Sequence, residues 1–324
     1  MTKRMLLAVV SVLTFHCCGT VLAQTERYPS RAVRIVVPFA PGGSVDILAR
    51  LVAPKLSESI GQQVVVDNRA GASGNIGTEI VARAAPDGYT LLINTLPFVV
   101  NTFLFSKLPY DPQADFAPLA LLSSSPSLVA VHPSLPARTI GELLALAKAK
   151  PGVLNYGTAG PGSNPHIAGE LFNLLGRTDI VAVHYKGGGP ALVATLGGEL
   201  AVSFSNISDT YPYIVSKRLR ALAVTGHRRS RAMPELPTVS ESGVPRYEFI
   251  TWHGLLAPKG TPRAIVTMLN ERIRKVMTAP DEVKRLEERG LDIIASTPEE
   301  FGAHLSSELK KWGTVVKERG MRAE

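Results

Sequence analysis

Val33-Arg34-Ile35-Val36-Val37-Pro38-Phe39-Ala40-Pro41-Gly42-Gly43-Ser44-Val45-Asp46 runs from β-branched residues through a glycine turn into a helical pattern. Beyond it, Ile47, Leu48, Leu51, Val52, Leu56 and Ile60 repeat at three- and four-residue intervals, which is one apolar face of a helix over 45–60. The stretch therefore reads as strand, loop, helix. The same unit recurs along the chain, with strands expected at 63–67, 89–94, 129–132, 153–157, 180–184, 201–205, 219–224 and 251–257. Helices are expected at 76–84, 140–150, 165–175, 190–196, 262–278, 281–289 and 298–319. Short Val- and Ile-rich runs alternating with helical segments predict an α/β fold with parallel sheets covered on both faces.

A chain of 324 residues is longer than one ordinary core prefers, so two lobes are expected. Two polar, Pro-dotted connections, 109–136 and 226–245, bound a central segment. The chain is expected to leave one lobe, build another and return: 26–122 with 226–324 as the first, 123–225 as the second.

Lys3 and Arg4 precede an apolar run from Met5 to Phe15, and Val21-Leu22-Ala23 follows with a small residue at its end. The run is too short to span a bilayer and reads as a cleavable export signal over 1–23. Both cysteines, Cys17 and Cys18, fall inside it, so the exported chain has no thiol or disulfide. A lipid anchor on one of them is the rival reading, which Phe15-His16 fits badly. Loss of Lys3 and Arg4 lowers the formal charge of +8 to +6. These charges are scattered apart from His227-Arg228-Arg229-Ser230-Arg231, and no nucleic-acid-binding motif accompanies them, which leaves a solvated basic surface and no nucleic-acid partner.

Three loops sit between a strand and a helix and carry glycine. In Phe39 to Asp46 the backbone N–H groups of Gly42, Gly43 and Ser44 open a helix, where roughly half a positive charge gathers. An ordinary loop capped by Ser44 or Asp46 has the same appearance. The second runs from Thr158 through Ala159, Gly162 and Ser163 to His166, with hydroxyls and amides able to hold a carboxylate; a lone histidine there also suits a structural role. The third is Tyr185-Lys186-Gly187, where Lys186 either attracts an acid or faces solvent. In open sheets ligands sit beyond the carboxyl ends of strands, so three such loops weigh more together than singly.

Enzyme signatures are missing: no dinucleotide or phosphate loop, no nucleophile elbow, no metal-ligand spacing among the seven histidines. No cofactor and no metal are expected, and the chain is not read as an enzyme. A secreted hydrolase or isomerase using Asp46, His166 or Lys186 stands as an alternative, as does a ligand-sensing domain for signalling.

These segments, with Asn68-Arg69-Ala70-Gly71-Ala72-Ser73-Gly74-Asn75-Ile76-Gly77, Ala85-Pro86-Asp87-Gly88-Tyr89, Leu108-Pro109-Tyr110-Asp111-Pro112 and Gly254-Leu255-Leu256-Ala257-Pro258, resemble the Bug family in order and spacing. That family comprises extracytoplasmic solute receptors of tripartite tricarboxylate transporters. The resemblance covers nearly all of the chain from Tyr28 onward. It implies a type II periplasmic-binding-protein fold, two α/β lobes around a ligand cleft with a hinge, and a periplasmic, monomeric receptor without catalysis. The implied partners are a small organic acid, a mono- or dicarboxylate with aromatic acids included, and integral membrane transporter subunits. The implied ligand contacts are Phe39, Ala40, Gly42, Gly43, Ser44 and Asp46 from the first lobe. From the second come Thr158, Ala159, Gly162, Ser163, His166, Tyr185, Lys186 and Gly187, with Ser205 and Asn206 at a strand end.

The chain departs from that family at two points. Pro97-Phe98-Val99 stands where many relatives have a Thr-His-Ala-like stretch, and Ser205-Asn206 stands where many have Asp-Asn. Losing a carboxylate at 205 and gaining an apolar wall at Phe98 lean the expected solute toward a plain or aromatic acid and away from an amino acid.

Overall fold

The computed structural model describes residues 28–319 and Arg322. The signal reading over 1–23, and with it the question of Cys17 and Cys18, lies outside the described residues. In chain order the elements are β1 (Val33–Val37), α1 (Ser44–Ile60), β2 (Val64–Asn68), α2 (Asn75–Ala82), β3 (Thr90–Asn94), α3 (Pro97–Leu104) and β4 (Phe116–Val131). The second lobe follows with α4 (Ile140–Ala149), β5 (Asn155–Thr158), α5 (Asn164–Gly176), β6 (Val181–His184), α6 (Gly188–Leu196), β7 (Val202–Asn206), α7 (Ile207–Val215) and β8 (Arg220–Val224). The chain then returns through β9 (Ile250–Pro258), α8 (Arg263–Met277), α9 (Pro280–Glu287), β10 (Asp292–Ile293) and α10 (Pro298–Arg319).

The opening stretch folds as its pattern dictates. Ile35 and Val37 of β1 are buried with Leu48, Val52 and Leu56 of α1 in one cluster, where α1 and α8 cover a face of the first sheet. A second cluster on the opposite face joins Val36, Leu92 and Leu256 to Phe98 of α3 and Phe301 of α10. The strand order is β2-β1-β3-β9-β4-β7-β5-β6, with β8 and β10 also on β4. β1, β2 and β3 are parallel, as are β5, β6 and β7, whereas β4 and β9 run antiparallel to each other and to their neighbours. The expected parallel sheets are thus the outer wings of an architecture whose centre is antiparallel.

β4 was expected only at 129–132, inside a loop-like connection, yet it runs unbroken from 116 to 131. Ser123, Ser125 and Ser127 line one side of it and are fully buried. Each hydroxyl has a partner: His253 Nδ1 at 3.2 Å, the Gly290 carbonyl at 2.7 Å, and Asn206 Oδ1 at 3.0 Å. Satisfied in this way, a serine run that reads as a loop can occupy the interior of a sheet. The first part of β4 pairs with β9 and β10; from Ser127 on it pairs with β7 and β8. One strand therefore belongs to both lobes.

Two helices also straddle them. α3 gives Phe98 and Val99 to the first-lobe core but Val100 and Leu104, with Leu96 just before it, to the second. α10 does the same, with Phe301 and Leu305 on one side and Trp312 and Val316 on the other. It starts with a reciprocal cap: the Glu300 N–H donates to Thr297 Oγ1 at 3.2 Å, and the Thr297 N–H donates to Glu300 Oε2 at 2.8 Å. The connection after β8 packs with the second lobe, since Val239, Val244, Tyr247 and Phe249 lie in its core. The expected boundary at 226 therefore gives way to a return near Ile250.

Candidate functional site

Five helices begin at one cleft. Residues of the first turns of α1, α3, α5, α6 and α7, among them Ser44, Asp46, Pro97, Asn164, Gly188 and Asp209, line it together with Phe39, Gly43, Thr95, Ala159, Ser205 and Asn206. In none of these five helices does the N-cap residue's own side chain hydrogen-bond to the first turn. By contrast α4, which starts elsewhere, is capped by Thr139, whose hydroxyl accepts from the Glu142 N–H at 3.1 Å. Helix starts leave backbone N–H groups unpaired and gather partial positive charge, so their convergence favours an anion. Among the described residues no lysine or arginine lines this cleft.

The lobes meet across it. Asn206 Nδ2 donates to Ser44 Oγ at 2.7 Å, and Asn164 Nδ2 donates to Thr95 Oγ1 at 3.1 Å. A Cβ at Gly187 would stand 2.7 Å from the Ala40 Cβ, so glycine alone permits this approach. The cleft encloses about 50 Å³, room for a few water-sized groups. Behind Phe39 and Ala159 a wider cavity of about 590 Å³ is lined by Ala70 to Gly74, Pro161, His184, Tyr185 and Lys186.

The first loop is shaped by Asp46. Its carboxylate accepts from the Gly42 N–H at 3.0 Å, from Arg50 Nε at 3.0 Å and from Asn68 Nδ2 at 2.9 Å, which holds the turn through Gly42 at φ +92°. Burial by itself would raise this carboxyl, but the hydrogen bonds from Arg50, Gly42 and Asn68 and the Arg50 charge keep it below the usual carboxylate range. The Gly42 N–H is thus engaged internally, while Gly43 and Ser44 face the cleft.

In the second loop only Ala159 of the expected residues lines the cleft. The Thr158 hydroxyl pairs with His184 Nδ1 at 2.6 Å. Ser163 Oγ accepts from the Ala159 N–H at 3.1 Å and donates to the Gly160 carbonyl at 2.6 Å. His166 Nδ1 accepts from the Gly162 N–H at 2.9 Å, and burial, with His184 nearby, pushes its pKa down to about 4. These side chains build the loop from inside, so Thr158, Gly162, Ser163 and His166 shape the site without presenting polar side-chain atoms to it. Tyr185 and Lys186 face the wider cavity, and Gly187 contacts Ala40 across the lobes. Of the residues of the hydrolase alternative, Asp46 is engaged by Gly42, Arg50 and Asn68, His166 by Gly162, and Lys186 lines the wider cavity.

Ser205 and Asn206 end β7 at the cleft, and Asn206 opens a chain of hydrogen bonds into β9 and β4. Ser44 Oγ also contacts His253 Nε2 at 3.1 Å, and His253 on β9 reaches Ser123 on β4. Complete burial pushes the His253 pKa down to about 4, so the ring is neutral. Its folded pKa lies below the unfolded value of about 6.5, so the unfolded chain binds more protons in the window between them. Stability should therefore fall as pH drops from 6.5 toward 4, by up to about 3 kcal/mol for this group. His253→Gln should flatten the slope of denaturant-measured stability over that window, and an unchanged slope would count against a buried neutral ring.

Several lining residues stood outside the expected set, Val45, Asn164, Pro165, Gly188 and Phe204 among them. Thr95 and Pro97 follow β3 directly, and Asp209 sits in the first turn of α7, one turn beyond Ser205. An acidic residue just past a strand end was the signal that could have found Asp209. Phe98, expected as a cleft wall, is instead fully buried in the first-lobe core against Tyr110 and Phe116. Pro97 takes the wall position because it begins α3, which turns the next side chain inward.

Among the described residues no group of His, Cys, Asp and Glu is arranged to hold a metal ion, and no helix is long and apolar enough to cross a membrane. A family described as "Tripartite tricarboxylate transporter family receptor" matches residues 48–321. A Pseudomonas sp. (strain P51) protein from the tcbD-tcbE intergenic region is 38% identical over 99% of this chain and 96% of its own length. Protein BugT of Bordetella pertussis is 35% identical over 99% of each chain. Among solved structures, R. palustris Rpa4515 with adipate superposes with a TM-score of 0.89 at 37% identity, covering 91% of this chain and 99% of its own.

Proposed function

From the premise that the chain belongs to the Bug-type receptors of the tripartite tricarboxylate transporter family, we propose that it captures one small carboxylated solute in the periplasm. Closure of the lobes about β4 and β9 then buries the solute, and the loaded form delivers it to integral membrane transporter subunits. The observation that carries this reading is the convergence of five helix starts, none capped by its own N-cap side chain, on a cleft between two lobes. A carboxylate drawn into such a cleft exchanges water for backbone N–H groups and hydroxyls, which a buried anion requires. The solved relative that carries adipate supports a carboxylate as the solute's common feature.

Closure in this scheme is a shift between two populations that the solute biases by touching both lobes at once. Gly43, Ser44 and Thr95 supply contacts from one lobe; Ala159, Gly188, Ser205 and Asn206 supply them from the other. Native mass spectrometry of the protein purified from its own host is the direct test. A retained small acid, lost on unfolding, is the expected result; a solute without a carboxyl group would overturn the reading.

A further inference from the structure

Among the described residues no cation pairs with the Asp209 carboxyl. It sits in the cleft wall on the first turn of α7, with the Ser208 hydroxyl donating to Oδ1 at 3.0 Å and the Ser44 N–H directed at it from the other lobe. α7 packs against β4, β7 and α1. β4 and β7 contain no titratable residue at all. α1 brings Asp46 and Arg50, which are paired with each other, and Arg50 Nη2 turns away to Asn68 Oδ1 at 2.8 Å. The neutral His253 contacts Ser44 behind them. Half-buried in the cleft wall, an ionised carboxylate with these surroundings is costly once the lobes close over it unless something of opposite charge joins it. Burial accordingly pushes the Asp209 carboxyl up to about 7, against the lowering effect of its two hydrogen bonds.

The cleft therefore has two ends of opposite demand. Helix starts and hydroxyls offer donors to an anion, while Asp209 offers an acceptor and a negative charge. We propose that Asp209 is the specificity-determining residue of this receptor and that it pairs with an ammonium group, so that the solute is a small amino acid: a carboxylate held by the helix starts and an amine held by Asp209. This rests on the receptor reading and narrows its solute class. It also answers the departure at Ser205, because the carboxylate absent there stands one helical turn further along. A plain dicarboxylate would instead add negative charge beside Asp209 with no cation to offset it.

The test compares acids that share a carbon skeleton but differ in one substituent: alanine, lactate and propionate; aspartate, malate and succinate; glutamate and glutarate. Affinity is read by calorimetry in two buffers of different ionisation enthalpy, which also counts protons. The amine-bearing member should bind about 30-fold tighter or more than its amine-free partner, as expected when a buried charge finds its mate, and should release protons near pH 7. Asp209→Asn, nearly isosteric, should abolish that preference and the proton release together, and Asp209→Ser serves as a second variant should the first misfold. Circular dichroism and the unliganded melting temperature establish that either variant is folded.

A hydroxy or unsubstituted acid binding as tightly as its amino counterpart overturns the inference, as does a preference unchanged in Asp209→Asn; the receptor reading survives both results. Failure of every acid to bind, together with mass spectra of the host-purified protein showing no carboxylate-bearing solute, overturns the receptor reading and takes the inference with it.

Discussion

Gly43→Leu is expected to abolish solute binding while leaving the fold nearly intact. Gly43 has φ −88° and ψ 166°, an extended conformation open to any residue, and a Cβ built on it meets nothing within 4 Å. The space that accepts the new side chain is the cleft itself, of about 50 Å³, which an isobutyl group would fill. Loss of a glycine N-cap costs about 1 kcal/mol or less. Affinity should drop about 100-fold or more, because the donors at the start of α1 become covered and the lobes can no longer close on a guest. Calorimetry with the host-purified solute reads the first effect and urea unfolding the second. Binding retained within a factor of about three would place the site elsewhere. Ser163→Leu is a poorer probe, since Ser163 is buried with two hydrogen bonds to its own loop and the variant would damage the fold.

Trp312→Ala should be the most destabilising single truncation. Trp312 is 3% exposed, packs its ring 6.2 Å from that of Phe249, and donates from Nε1 to Glu308 Oε2 at 3.0 Å. The same carboxylate oxygen accepts from Trp252 Nε1 at 3.0 Å on β9. Removing a buried tryptophan costs about 3–5 kcal/mol through lost burial and the cavity left behind. Here the loss falls where α10 ties the second lobe to the first, so unfolding should become less cooperative as well as earlier. Urea titration followed by tryptophan fluorescence and by circular dichroism should show separated midpoints. A single transition displaced by less than about 1 kcal/mol would show that α10 is not a tie between the lobes.

The strand-loop-helix unit at 33–60 was legible because local pattern and tertiary role agree there: apolar residues at helical spacing face a sheet that is apolar on both sides. β4 was not legible, because Ser123, Ser125 and Ser127 owe their burial to partners 79 to 165 residues away in sequence. Loop glycines marked where the backbone comes close, as at Gly42 and Gly187. They could not say which donors remain free. That depends on whether a neighbour such as Asp46 or His166 has already accepted the N–H, and such pairing is visible only in three dimensions. Phe98 was misplaced and Asp209 missed for the same reason: the helix start at Pro97 sets the direction of one, and the helix start at Ile207 sets the direction of the other.

Because β4 is shared end to end, the two lobes cannot be excised as modules. Cutting the chain near Ser127 would give each fragment a severed ribbon with an unpaired row of amides and carbonyls, and would strip Trp312 from its socket. Edges of that kind seek other chains, so separate halves should self-associate rather than fold as miniature receptors. Swapping a lobe between relatives to graft a new preference would meet the same obstacle. In this architecture the practical unit of redesign is the rim of the cleft, one loop or one helix turn at a time.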